Sequence, residues 1–129
     1  MKITFIGGGN MAAALLGGLI RKGQAPAGIR VVELQAEARA LLAAQFGVVC
    51  VDSVAAAAPL GDVVVLAVKP QQMRSAAKAL QLELERELVI TIAAGIRLVD
   101  LSRWLGGYAT LVRCMPNTPA LIGAGITGL

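Results

Sequence analysis

The residues with the clearest chemical potential form the run Gly7-Gly8-Gly9-Asn10-Met11-Ala12. It follows the apolar stretch Ile3–Ile6 and leads into Met11, Leu15, Leu19 and Ile20, which recur at helical spacing. A strand, a glycine turn and a helix in that order match the G-x-G-x-x-A pattern with which such units bind a dinucleotide. Each position has its reason. Gly7 permits the tight turn, Gly9 lets the backbone approach a pyrophosphate, and Ala12 keeps the helix close to the sheet. The pyrophosphate would then meet the free N–H groups and positive dipole end of the helix. A plain glycine-rich turn is the bland alternative, and the elements on both sides argue against it.

Four further groups bear on the same chemistry. Glu33 ends the stretch Ile29–Leu34, about the spacing (~20 residues) at which an acidic residue meets the adenosine ribose 2′-OH. That favours NAD, because a carboxylate repels a 2′-phosphate; Arg39 is near enough in sequence to offer a counter-charge, which leaves NADP open. A solvated strand-end glutamate is the plain alternative. Ala67-Val68-Lys69-Pro70 closes the run Val63–Val68 and puts Lys69 at the carboxyl end of a strand, where open α/β sheets bind ligands. Ile92-Ala93-Ala94-Gly95 places small residues after another apolar run, leaving room for a ligand against the backbone. Met115-Pro116-Asn117-Thr118-Pro119 is a loop pinned by two prolines, and Asn117 and Thr118 are its side-chain hydrogen-bonders. They are the candidates for binding substrate; a rigid turn is the alternative there.

These groups need a scaffold that gathers strand ends on one edge. The apolar runs Ile3–Ile6, Ile29–Leu34, Val48–Val51, Val63–Val68, Leu88–Ile92 and Leu111–Met115 predict strands, with Ile122–Leu129 as one more. Between them, Ala38, Leu41, Leu42 and Phe46 predict a helix stopped by Gly47, and Ser53–Ala58 a short one before Pro59. Met73, Ala76, Ala77, Leu80 and Leu84 mark another, and Leu98, Leu101 and Leu105 a last short one. Alternation of this kind predicts an α/β fold with a doubly wound, mainly parallel, Rossmann-like sheet in a single domain over residues 1–129. The composition agrees. The chain is 57% apolar but only 3% aromatic, so its core must be built from small and β-branched side chains, as in strands buried on both faces.

Other chemistries are disfavoured. The net charge of +4 comes from 12 basic and 8 acidic residues without a basic run longer than Arg21-Lys22, so no nucleic-acid partner is expected. Two distant cysteines, Cys50 and Cys114, in a chain without histidine offer no zinc spacing and no Ser-His or Cys-His pair. No metal site is expected. No stretch reaches the ~18 uncharged residues of a membrane span, and the expected compartment is the cytoplasm.

The chain resembles pyrroline-5-carboxylate reductase along nearly its whole length. The likeness rests on Phe5-Ile6-Gly7-Gly8-Gly9-Asn10-Met11, Ala67-Val68-Lys69-Pro70-Gln71, Ala93-Ala94-Gly95 and Arg113-Cys114-Met115-Pro116-Asn117-Thr118-Pro119. The second and fourth segments are more specific than the glycine run. The resemblance implies NAD(P)H-dependent reduction of 1-pyrroline-5-carboxylate to L-proline. It also implies cofactor contacts at Ile6–Met11, Ala67–Pro70 and Ile92–Ala94. NADP(H) is the family's usual cofactor, with NAD(H) the alternative that Glu33 suggests. The family further implies a C-terminal helical domain that forms the dimer and completes the substrate pocket; it is expected beyond residue 129. Two other readings compete: a deazaflavin-dependent NADP oxidoreductase, which should lack the Met-Pro-Asn-Thr-Pro loop, and a non-catalytic nucleotide-sensing domain.

Overall fold

Strands in this chain are short apolar runs punctuated by turn residues, and the fold stacks them side by side. The computed structural model describes residues 1–92 and 95–114. It contains β1 (Ile3–Ile6), α1 (Asn10–Arg21), β2 (Ile29–Val32), α2 (Ala36–Phe46), β3 (Val49–Val51) and α3 (Val54–Ala57). These are followed by β4 (Val63–Leu66), α4 (Met73–Gln81), β5 (Leu88–Thr91), α5 (Leu98–Trp104) and β6 (Leu111–Arg113). The six strands form one sheet in the order β3-β2-β1-β4-β5-β6, and every pairing is parallel. The expected doubly wound α/β architecture is present. The chain runs outward from β1 in one direction, returns, and runs outward from β4 in the other, so the order reverses between β1 and β4.

Side-chain alternation sorts the two faces. Ile3 and Phe5 of β1, Ile29 and Val31 of β2, and Val63 and Val65 of β4 pack with Ala12, Leu15, Leu16 and Leu19 of α1 and Leu42 of α2. Ile6, Val32, Val64, Leu66 and Val89 face the other way, onto α3, α4 and α5 through Val54, Ala57, Met73, Ala77, Leu80 and Leu101. Thr4 points to this second face, buried, and its hydroxyl donates to the Leu60 carbonyl at 2.7 Å, which satisfies the one polar side chain of β1.

Several element ends differ from expectation. Glu33 and Leu34 lie beyond β2, and Ala67 and Val68 lie beyond β4. At both strand ends the apolar run continues past the last paired residue, Val32 in β2 and Leu66 in β4, because the chain must turn there to enter a crossover. Leu41, expected on the packed face of α2, is 69% exposed. That helix covers the edge of the sheet, where β3 has only three residues, and Leu42 is its buried contact. Leu84 falls after α4 rather than on it. Met115 and the further strand expected over Ile122–Leu129 lie outside the described residues.

Phe5, fully buried at the sheet centre, is the largest side chain of its cluster. Phe5→Ala should cost about 3–5 kcal/mol of unfolding free energy. Leu41→Ala should stay within about 0.5 kcal/mol. Urea unfolding followed by circular dichroism measures both.

Candidate functional site

The carboxyl ends of all six parallel strands lie on one edge of the sheet. Open α/β sheets bind ligands there, in the crevice where strand order reverses. In this chain that crevice lies between the loop after β1 and the loop after β4. The residues just past each strand keep the ladder closed up to the edge. Gly7 N–H donates to Val32 O at 2.8 Å, Ala67 N–H to Ile6 O at 2.8 Å, and Ile92 N–H to Leu66 O at 3.3 Å.

One of the three glycines is required by the protein's own packing, and a second is closely hemmed by side chains. Gly7 has φ +104°, and a Cβ there would stand 2.9 Å from Ala67 O and 3.0 Å from Val68 Cγ1. The β1 and β4 loops therefore touch, and only glycine permits it. A Cβ on Gly8 would meet Leu42 Cδ1 at 2.7 Å and Glu33 Cβ at 3.2 Å, so Gly8 is wedged against α2 and the β2 end. Gly9 is different. Its φ of −78° suits any residue, and nothing lies within 4 Å of where its Cβ would be. The packing leaves open space on that side of Gly9.

Gly9 is also the N-cap of α1. No side chain caps that end, and no acidic residue sits in the first turn. The helix has 12 residues, so its positive end is well developed. Ala12 is fully buried, which holds the helix against the sheet as expected. An uncapped helix N-terminus beside an open cradle fits a pyrophosphate. Asn10 and Met11, at the first helical positions, are exposed, Met11 by 45%.

Across the crevice, Lys69 is exposed and extended (φ −65°, ψ 151°), as a residue before proline should be. Pro70 then starts a short 3-10 turn, Pro70–Gln72, that leads into α4. Ile6, Ala67, Val68 and Ile92 sit at the same edge. Ala93 and Ala94, and the candidate substrate residues Asn117 and Thr118, lie outside the described residues.

Glu33 is half-buried, and its carboxylate is engaged by the protein. Oε1 accepts from Gly8 N–H at 3.1 Å, and Oε2 from Gln35 N–H at 2.8 Å. Arg39 NH1 donates to Glu33 O at 2.8 Å and to Leu34 O at 3.0 Å. Burial pushes the Cys50 thiol on β3 upward; the Arg39 charge lowers it and the Glu33 charge raises it. Cys50 thus senses both charges at this corner. The bond between Gly8 and Glu33 spans residues distant in sequence, and the one available signal was that both flank the ends of adjacent strands.

Residues 2–95 match the family described as NADP oxidoreductase, coenzyme F420-dependent. The chain belongs to this family. The likeness to pyrroline-5-carboxylate reductases read from the sequence is borne out along its length. The pyrroline-5-carboxylate reductase of Pseudomonas aeruginosa is 50% identical over 99% of this chain and 47% of its own length. The structure of a pyrroline-5-carboxylate reductase from Coxiella burnetii superposes with a TM-score of 0.84 at 38% identity, covering 94% of this chain and 46% of that one. That of the Plasmodium falciparum pyrroline carboxylate reductase, with NADP bound, gives 0.79 at 26% identity, covering 95% of this chain and 45% of that one. The chain spans about half the length of the curated relatives it matches.

The contrast among the glycines is directly testable. Gly7→Ala should lower stability by about 2 kcal/mol or more, from left-handed strain and the clash with Ala67. Gly9→Ala should cost under about 1 kcal/mol, the ordinary loss at an N-cap. Thermal unfolding of the two variants beside the parent protein decides it.

Proposed function

We propose that this chain is the cofactor-binding half of a pyrroline-5-carboxylate reductase, reducing 1-pyrroline-5-carboxylate to L-proline with NADP(H). The observation that carries the cofactor part is the open, uncapped N-terminus of α1 at Gly9. The substrate part is supported by relatives of that name matching 99% of the chain. The deazaflavin reading draws on the description of the family matched by residues 2–95. The match along nearly the full chain puts the cyclic imine first.

The reduced nicotinamide supplies a hydride for the imine carbon. The chain's own residues bind and orient. Gly7, Gly8 and Gly9 let the backbone of Ile6–Met11 approach the pyrophosphate, whose charge the helix end offsets. Lys69 adds a cation across the crevice, beside Ala67, Val68 and Pro70. Ile92, Ala93 and Ala94 are further cofactor contacts that the family resemblance implies. Asn117 and Thr118 are this chain's candidate donors to the substrate carboxylate. A protonated imine is already electrophilic, so a dedicated general acid is unnecessary, which suits a chain without histidine. Orientation to ~3–3.5 Å between reacting atoms then carries most of the acceleration. The remaining substrate contacts come from a helical dimerisation domain beyond residue 129, and the reaction takes place in the cytoplasm. These last assignments follow the family resemblance. Among the described residues no helix is long and apolar enough to cross a membrane, and no cluster of three or more His, Cys, Asp or Glu could hold a metal.

A chimera tests the proposal. Residues 1–129 are joined to the unmatched portion of the Pseudomonas aeruginosa relative, and NADPH oxidation is followed by absorbance with 1-pyrroline-5-carboxylate. The chimera should turn over, and Gly9→Val in it should abolish NADPH binding while the fold survives. A folded chimera that binds NADPH but leaves the imine unreduced would refute the substrate assignment. Undiminished NADPH affinity in Gly9→Val would refute the cofactor site.

A further inference from the structure

A second cluster of charge lies outside the glycine loop and its partners, on the outer surface of α4 and α5. The two helices contribute Met73, Ala77, Leu80 and Leu101 to one buried cluster. Outside it lies a groove of about 300 Å³, lined by Arg74, Ser75 and Lys78 of α4 and Trp104 of α5. The three α4 residues are exposed, and Trp104 is half-buried against the core. The Arg74 guanidinium carbon lies over the indole, 5.7 Å from the ring centroid, a distance at which a cation is attracted to the ring face. Arg74 is thereby held at the groove wall.

The charges of this groove are not balanced from within. Helix α4 contains no acidic residue. Asp100 of α5 is taken by Arg97 at 3.1 Å and Arg103 at 3.8 Å. Among the described residues, neither Arg74 nor Lys78 forms an ion pair. They stand four residues apart on one helix face, where like charges destabilise a helix. Arg74 also lies in the first turn of α4, where the helix dipole disfavours a cation. An anion between the two side chains relieves both costs. Side chains at this spacing leave the helix about 5–6 Å apart, so they suit two acidic groups separated by a few bonds.

We propose that the α4–α5 groove binds a small organic dianion of the short-chain dicarboxylate class. Arg74 and Lys78 each take one carboxylate, the Ser75 hydroxyl donates a further hydrogen bond, and the apolar stem of the ligand lies against the Trp104 indole. The volume sits at the lower end of the ~300–1,000 Å³ of small-molecule sites, which fits a ligand of a few carbons. The groove shares no residue with the glycine loop or with Lys69, so its occupancy is independent of the dinucleotide's.

Trp104 is the chain's only tryptophan, so its fluorescence reports on the groove directly. Glutarate is titrated at constant ionic strength, beside butyrate and a blocked alanine peptide carrying two glutamates, into the parent protein and Lys78→Met. Circular dichroism checks that the variant is folded. Glutarate should change the emission saturably and bind about tenfold tighter than butyrate, because its second carboxylate adds a charge-assisted contact. Lys78→Met leaves the Arg74–Trp104 pair in place and should weaken glutarate about five- to twentyfold. No saturable change with glutarate, or equal affinity for glutarate and butyrate, overturns the site. Unchanged glutarate affinity in folded Lys78→Met puts the anion elsewhere on the chain and overturns it as well. Tighter binding of the peptide than of glutarate, at equal charge, would mark a docking surface for an acidic protein segment and overturn the small-ligand assignment.

Discussion

At Gly7 the chain leaves β1 with φ +104°, and a methyl group there would stand 2.9 Å from the carbonyl oxygen of Ala67. Much of the sheet's carboxyl edge depends on this close approach. It lets the loop after β1 lie against the loop after β4, at the point where the strand order reverses. It also sets the direction in which α1 starts. Leu15, Leu16 and Leu19 then bury against Phe5 and Val65, and the N-terminus of the helix is left open at Gly9. The turn is thus fixed by internal sterics, and the binding cradle is the space that those sterics leave.

The glycine run therefore divides its labour. Gly7 and Gly8 answer to the protein, the first through Ala67 and Val68, the second through Leu42 and Glu33. Gly9 answers to whatever occupies the cradle. Glu33 links this loop to the next turn through Gly8 and Gln35, and Arg39 holds the same turn through two carbonyls. Glycine loop, β2 end and α2 start are consequently one hydrogen-bonded unit. A disturbance at any of them should reach the others, which is a reason to measure cofactor ratios rather than single affinities.

Most of the fold was legible because its strands are buried on both faces and read as uninterrupted apolar runs. Val63–Leu66 is the clearest case, with all four residues buried. Legibility failed where hydrophobicity outlasted structure. Leu34, 79% exposed, continues the β2 run past its ladder, and Leu41 keeps helical spacing while facing solvent, because periodicity does not report how narrow the partner surface is. At the site, the fingerprint gave the loop and the helix end, and proline chemistry gave the extended Lys69. The partners of Glu33 were not readable. Its type and position fit a ribose contact equally well, and only the fold brings Gly8 N–H, 25 residues away, within 3.1 Å.

The central claim is that a dinucleotide pyrophosphate rests on the first turn of α1, in the crevice between β1 and β4. Backbone amide chemical shifts, followed by nitrogen-edited NMR as NADP+ is titrated into the protein, test it most directly. The account predicts saturable shifts concentrated at Gly8, Gly9, Asn10 and Met11, with a second group at Val68 and Lys69. Shifts concentrated instead at the opposite edge of the sheet, around Lys2, Gly28 and Leu60, or a glycine loop that does not respond at saturation, would contradict it.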